Sequence, residues 1–364
     1  MAKKRISIKD IAEVAGVSHP TVSRALRGRG RMSDHTRERI LDVAKELGYA
    51  PSLMARGLVM QRSFCVGLIV PTFLDPFHSE VAQGVEEWAR QHHYSLFVSS
   101  TDLDPTREME VAHSLLGRQV DGIIVSSSRV GDRYLEMSTD SDMPIVLINP
   151  EADSAQIPTV VHDDYGGGAL LMTHLLQQGH RNIAHMGVMT QGRAHHERKR
   201  AWTDGMRNGG LAPELSVDCP TGSISGGMHG AAQLLPKAFE LWQAPPEAIF
   251  CYNDATAIGV IATLRQGGYM AQGAIAITGF DDLDMAAAID PALTTIHQPR
   301  REMGVLAMRK LLSLIDRMHP HKEIHPHKEN AKENAAPVVA PIDKSQLERA
   351  SILVPGNLVI RRSA

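Results

Sequence analysis

The chain is poor in aromatic side chains. Phe, Trp and Tyr together supply 4% of its 364 residues, although hydrophobic residues as a whole supply 43%. Its interior must therefore be mostly aliphatic. Three cysteines, Cys65, Cys219 and Cys251, are too few and too widely spaced for a disulfide framework or a metal-ligand pattern, so buried, reduced thiols are expected. No stretch reaches the about 18 consecutive apolar residues that a membrane helix needs. The basic start Met1-Ala2-Lys3-Lys4-Arg5 is not followed by an apolar signal core, which makes the cytoplasm the expected location, with no membrane partner. Phosphate-binding glycine loops of the standard spacings are missing. Gly166-Gly167-Gly168 lacks the GxGxxG form, His195-His196-Glu197 lacks the HExxH spacing, and no nucleophile elbow is present. Nothing here suggests an enzyme or a bound cofactor.

Charge is present in quantity but unevenly placed. The net charge of −3 hides a head, residues 1–62, that carries +7 and a remainder that carries −10. A basic head on an acidic body points to a nucleic-acid contact made by the head alone. The head reads as three short helices. Ser7 can cap a first helix with Ile8, Ile11, Ala12 and Ala15 on one face, ended by Gly16. Ser18 can cap a second, with Pro20 in its first turn and Val22, Ala25 and Leu26 on its apolar face; Gly28 and Gly30 end it. Ser33 starts a third, through Ile40, Val43, Ala44 and Leu47 to Gly48. Helix, tight glycine turn, helix is the pattern of a helix-turn-helix. Pro51 forces an extended step at its predecessor, and Ser52 can cap a short helix over 53–60.

Beyond residue 63 strand-length apolar runs alternate with amphipathic segments. Strands are expected at 65–70, 95–100, 122–126, 145–148, 159–161, 183–186, 248–252 and 274–278, and helices at 78–92, 107–118, 166–178 and 255–267. This alternation predicts doubly wound parallel sheets, and nearly 300 residues suit two lobes with a ligand cleft at the carboxyl ends of the strands. Residues 319–346 repeat HPHKE and are dominated by Pro, Glu, Lys and Asn, so a disordered, solvated insertion is expected. His319, His321, His325 and His327 cluster there as imidazoles can around a metal, but a polar loop extended by a short duplication is the favoured reading, and no metal is expected. A final strand is expected over 352–359.

The runs Ile8-Lys9-Asp10-Ile11-Ala12-Glu13-Val14-Ala15-Gly16-Val17-Ser18 and Thr21-Val22-Ser23-Arg24-Ala25-Leu26 resemble the DNA-reading unit of the lac/gal repressor family. Leu47-Gly48-Tyr49-Ala50-Pro51 and Ala55-Arg56-Gly57-Leu58 resemble its linker and hinge helix. In the family's order follow Val120-Asp121-Gly122, Gly179-His180-Arg181-Asn182, Asn253-Asp254, Gly279-Phe280-Asp281-Asp282 and Thr294-Thr295-Ile296-His297-Gln298-Pro299. The resemblance implies an N-terminal helix-turn-helix headpiece and hinge helix joined to a two-lobed, periplasmic-binding-protein-like α/β effector domain. It implies a homodimer that reads a palindromic operator in double-stranded DNA under control of a small-molecule effector. Its domains would be 1–51, a hinge at 52–62, and a body at 63–364. Lobe 1 would hold 63–163 and 296–318, lobe 2 164–295 and 350–364.

Residue roles follow from the same resemblance. His19, Pro20 and Arg24 would read bases, with Arg24 suited to guanine O6 and N7. Ser18, Thr21 and Ser23 would meet phosphates. In the hinge, Leu58 would wedge into a minor-groove base step, with Ala55 and Arg56 beside it. In the body, Asp75, Phe77, Ser126, Asn149, Arg198, Asn253, Asp281 and Gln298 would line a polyol site, Arg198 being the residue that grips the ligand. Asn253 and Asp281 can equally serve as helix cap and turn residues. The family often has Asn where Asp75 stands, and it has a second aromatic wall where this chain has Thr221-Gly222-Ser223. A sugar is the expected effector, with a nucleoside or purine as the alternative, and repression is the expected action.

Overall fold

A computed structural model describes residues 6–26, 32–48, 62–131, 133–151, 156–189, 192–269, 275–318 and 347–364. The chain divides into two compact units, residues 1–63 and 64–364. Gly28, Gly30, the hinge residues Ala55, Arg56 and Leu58, and the insertion 319–346 lie outside the described residues.

The first unit holds α1 (Ile8–Val14), α2 (His19–Leu26) and α3 (Asp34–Glu46). Ser7 caps α1 through a reciprocal box with Asp10, and Ser33 caps α3. Gly16 and Gly48 follow α1 and α3 with φ of 62° and 66°, a left-handed backbone in which a side chain would be strained. Ile11, Val22 and Ile40, one from each helix, are fully buried together with Ala15, Ala25 and Ala44.

The second unit is two parallel sheets. The first has the order β11-β5-β4-β3-β1-β2, built from β1 (Cys65–Val70), β2 (Ser95–Ser100), β3 (Ile123–Ser126), β4 (Ile145–Ile148), β5 (Thr159–His162) and β11 (Ser351–Val354). The second has the order β7-β6-β8-β9, from β6 (Ile183–Val188), β7 (Ser216–Cys219), β8 (Ala248–Cys251) and β9 (Ala276–Thr278). The first sheet carries α4 (Pro76–Gln91), α5 (Pro105–Gly117), α6 (Arg133–Ser141) and α12 (Arg300–Met318). The second carries α7 (Asp164–Gln177), α8 (Arg193–Asn208), α9 (Ile224–Trp242), α10 (Asp254–Gln266) and α11 (Asp284–Ala288). The inner strands β3, β4, β6 and β8 are buried at every residue, as a sheet covered on both faces requires.

Three crossovers join the lobes: β5 to α7, β9 through β10 (Thr295–His297) to α12, and β11 to β12 (Asn357–Val359). β10 and β12 pair antiparallel. The single strand expected over 352–359 is therefore two strands in two sheets, and assigning all of 350–364 to lobe 2 is corrected. β11 pairs with β5 of lobe 1, Ile352 beside Val160, whereas Ser363 bonds Ile277 and Thr294 of lobe 2. Pro355-Gly356 makes the break. Gly356 lies so close to the first crossover that a Cβ there would come within 2.6 Å of His162 Nε2.

Several further elements were not named in the sequence reading, namely β7, β10, α6, α8, α9, α11 and α12, and two of them show why. β7, with Ser216-Val217-Asp218-Cys219, is a short edge strand with little apolar pattern. In α9 three glycines in the first turns and Pro236 inside hide the helical signal. Cys219 and Cys251 are buried, as expected, while Cys65 is only partly so; none forms a disulfide. Among the described residues no helix is long and apolar enough to cross a membrane.

α4 and α12 touch backbone to backbone. A Cβ on Gly304 would fall 2.1 Å from the Val81 carbonyl oxygen, and nothing but main chain is there to yield. Gly304→Ala is expected to lower unfolding free energy in urea by about 1–3 kcal/mol, the range for overpacking. Gly117→Ala, with open space around it, is expected to be neutral or stabilising.

Candidate functional sites

In the head, Val22 and Ala25 anchor α2 to the core, which turns the other face outward. Ser18, His19, Pro20 and Arg24 are exposed on it, and Thr21 and Ser23 are half-buried. Ser18 Oγ and Thr21 Oγ1 lie 2.8 Å apart. Arg24 Nε donates to the Pro20 carbonyl at 3.3 Å, which lays the guanidinium along the first turn of the helix. All six expected contact residues of α2 thus lie at its amino end or on its outward side.

In the body, the sites form where the parallel strands end. An extensively bonded buried cation there is Arg198 of α8. Its Nε and Nη2 both donate to Asp164 Oδ1, at 2.9 and 2.8 Å, and its Nη1 donates to the Tyr252 carbonyl at 2.6 Å. The guanidinium lies 3.7 Å from the centre of the Phe280 ring and 4.8 Å from that of Tyr252. Planarity and five N–H donors make arginine the cation that can do all of this at once. Burial opposes ionisation of Asp164, but Arg198 and His162 outweigh it and hold the carboxyl at about 2. Burial likewise pushes the Tyr252 phenol up to about 12, against the pull of Arg198.

Asp281 follows β9 with φ of 119° and is also buried. Its carboxylate sits 4.0 Å from Arg198 Nη1 and accepts from Gln298 Nε2. Burial drives its pKa well above the usual carboxylate range; Arg198 opposes this, and Asp254 and Asp75 add to it. Arg198, Asp281 and Gln298 are therefore brought together, with Asp164, Tyr252 and Phe280, which the sequence reading did not single out. Tyr252 and Phe280 directly precede Asn253 and Asp281, so strand-end position was the signal that pointed to them.

The other candidates are engaged within the protein. Asn253 caps α10 through Thr256 and donates to the Gly222 carbonyl, the capping role already open to it. Asn149 accepts from the His162 amide at 2.8 Å. Ser126 is buried, 3.0 Å from His78 Nδ1, and Phe77 is buried with His78 against its ring. Asp75 caps α4, accepting from the Phe77 amide at 2.9 Å, and stays half-exposed. Of the lobe 1 set, Asp75 alone acts electrostatically on Asp281 and Tyr252.

The family described as "Periplasmic binding proteins and sugar binding domain of LacI family" matches residues 63–334, and that described as "Bacterial regulatory proteins, lacI family" matches residues 7–52. The chain belongs to the LacI family. Catabolite control protein A of Priestia megaterium is 30% identical over 314 residues, which cover 86% of this chain and 93% of that protein. The HTH-type transcriptional repressor PurR of Aliivibrio fischeri strain MJ11 is 29% identical over 87% of this chain and 94% of its own. The crystal structure of the lac repressor dimer bound to operator and the anti-inducer ONPF has the same fold, with a TM-score of 0.81 at 23% identity over 99% of each chain. This LacI-family protein is a DNA-binding transcriptional regulator and not an enzyme.

Beneath the Arg198 floor lies a second titratable cluster. His185 is buried, its ring stacked 5.3 Å from Trp202 and 6.2 Å from His195. Burial, with His195 and Lys199 nearby, holds its pKa well below the usual imidazole value. Burial also lowers His195, against the pull of Asp218.

The first expected outcome concerns the ion pair. Arg198→Met leaves the Asp164 charge buried without its partner and is expected to cost about 3–5 kcal/mol, measured by denaturant unfolding. Adding Asp164→Asn should recover part of the loss. The second concerns pH. A base with a depressed folded pKa contributes stability that is present above its ordinary value of 6.5 and lost as pH falls below it. The stability advantage of the native protein over His185→Gln should therefore shrink between pH 7 and pH 5. A constant difference would remove His185 from the titrating groups.

Proposed function

We propose that the protein is a cytoplasmic, homodimeric repressor of a carbohydrate-utilisation operon, that it reads a palindromic operator, and that a small polyhydroxylated effector held between the lobes sets its DNA affinity. The observation that carries the effector reading is the Arg198–Asp281–Gln298 group, a guanidinium 4.0 Å from a carboxylate that accepts a hydrogen bond from an amide, at the ends of the lobe 2 strands. A hydroxyl can accept from the first and donate to the second, and such paired contacts are the chemistry of polyol recognition. The rings of Tyr252 and Phe280 already cover Arg198, which leaves its remaining N–H groups for the ligand. Asp75 and Phe77 would close the site from lobe 1.

On the DNA side, the outward face of α2 supports base reading by His19, Pro20 and Arg24 and phosphate contacts by Ser18, Thr21 and Ser23. A helix-turn-helix pair related by a twofold axis requires a near-palindrome, and the lac repressor of the same fold was solved as a dimer on its operator. Ala55, Arg56 and Leu58 would add the minor-groove contact.

Selection of genomic fragments by the purified protein, followed by sequencing, is expected to enrich a palindrome beside genes for sugar uptake or breakdown. Enrichment beside purine genes would replace the sugar by a purine, and no enrichment in the absence or presence of cell metabolites would sink the reading. On the enriched site Arg24→Ala should weaken binding by about 1–3 kcal/mol and relax specificity at one base pair. Equal losses on specific and random DNA would show that Arg24 contacts phosphate instead.

A further inference from the structure

Two consecutive residues turn the chain out of the lobe 2 sheet in a backbone region that side chains rarely adopt. Asp281 and Asp282, just past β9, have φ of 119° and 58°, and neither is glycine. Such a turn costs conformational energy and persists only where its surroundings hold it. Here one guanidinium holds it. Arg300 Nη1 donates to the Asp281 carbonyl, and Nη2 donates to the Asp282 carbonyl at 3.2 Å. Nη2 also pairs with Glu80 Oε1 at 2.8 Å. These partners come from both lobes. Asp281 and Asp282 belong to lobe 2, Arg300 opens α12 just after the second crossover, and Glu80 lies in the second turn of α4 on lobe 1. Arg300 is tied to α4 by more than charge. A Cβ on Gly84 of α4 would overlap the Arg301 carbonyl, so the start of α12 rests on α4 main chain. The Asp281 carboxylate, carried by the turn, accepts from Gln298 Nε2 and stands 4.0 Å from Arg198 Nη1.

We propose that Arg300 is a positioning residue of the effector site, its guanidinium holding the Asp281–Asp282 turn, and with it the Asp281 carboxylate, at a place set by Glu80 of lobe 1. The proposal rests on the reading of this cleft as the site of a polyhydroxylated effector. Arginine is the side chain that fits the task. Its planar fork meets two carbonyls and a carboxylate in fixed directions, whereas a lysine ammonium is a point charge on a flexible stem. The two ends of the contact then depend on each other. A hydroxyl bound to Asp281 stabilises the turn that Arg300 holds, and Arg300 is placed by α4. Effector affinity therefore depends on where α4 lies, and by reciprocity effector occupancy biases α4. Lobe 1 is the lobe that the chain enters from the head, so this contact ties a ligand residue of lobe 2 to the lobe that directly follows the DNA-reading unit in sequence.

Hydrogen exchange of the full chain, read by mass spectrometry, tests the contact without a ligand. The Glu80 side chain is 40% exposed, so Glu80→Gln keeps the fold while it removes the charge that places Arg300. Amides of residues 280–283 are expected to exchange about tenfold faster, the ratio that one charge-assisted hydrogen bond supplies, with those of β6 and β8 unchanged. Arg300→Lys should act on the same amides. No change at 280–283 would overturn the proposal. So would a uniform rise over both sheets, because it would show support of the fold alone. Calorimetric titration with D-glucose, D-galactose, D-mannose, D-fructose and D-ribose tests the link to the effector. A sugar that binds the native protein is expected to bind Arg300→Lys about tenfold more weakly. Asp281→Gly keeps the turn, since glycine adopts positive φ freely, and removes the carboxylate. In that background Arg300→Lys should cost nothing further. Additive losses would overturn the proposal and leave the cleft reading standing. Binding of none of these sugars by the native protein would overturn both.

Discussion

A buried charge must be matched where it sits, and in this protein the match between Arg198 and Asp164 organises everything around it. Asp164 opens α7 at the first crossover, and Arg198 lies in the middle of α8. Their bond therefore fixes two helices and, through the Tyr252 carbonyl, the end of β8. His162, two residues before Asp164, has its Nδ1 3.4 Å from that carboxylate and its ring edge-on to Phe280. Gly356 of the third crossover packs on the same imidazole. The buried polar group of lobe 2 is thus joined to two of the chain segments that cross between the lobes. Arg198 is held by the structure first, and the ligand role proposed for it cannot be altered without disturbing that pairing.

The scarcity of aromatic residues acquires meaning in this setting. Phe280, Tyr252, Phe250 and Trp202 gather around Arg198 and His185, in the lobe that carries the polar floor. Elsewhere the body is packed mostly from Ile, Leu, Val, Ala and Met, with single aromatic residues such as Tyr134 and Phe77 among them. Flat rings suit this place because they lie against a guanidinium or an imidazole with attraction, where branched aliphatic side chains would only exclude water. In the same lobe, burial disfavours the charged form of both His185 and His195.

Much of this was legible beforehand. The caps at Ser7 and Ser33, the three-helix core through Ile11, Val22 and Ile40, and the inner strands all rest on local signals of period and capping. α9 was not legible, because glycines selected for close packing weaken the helical signal. β11 and β12 were read as one strand because the apolar run continues across Pro355-Gly356, and only the need of each half to pair with a different sheet separates them. Among the expected ligand residues, Asn149, Ser126 and Asn253 showed the right polarity at strand ends, yet polarity there serves caps and struts as readily as ligands.

The sequence by itself determined the order of elements, the helix-turn-helix head and the two-lobed α/β body, because these follow from residue spacing along the chain and from motifs that keep a fixed order. Tertiary structure alone decided that Arg198 is held by Asp164, that Tyr252 and Phe280 enclose it, and that Gln298 Oε1 lacks a donor beside Asp281. Those facts depend on partners 17 to 82 residues apart in the chain. The balance of charge and hydrogen bonds in a buried space is a property of that space, and no stretch of sequence contains it.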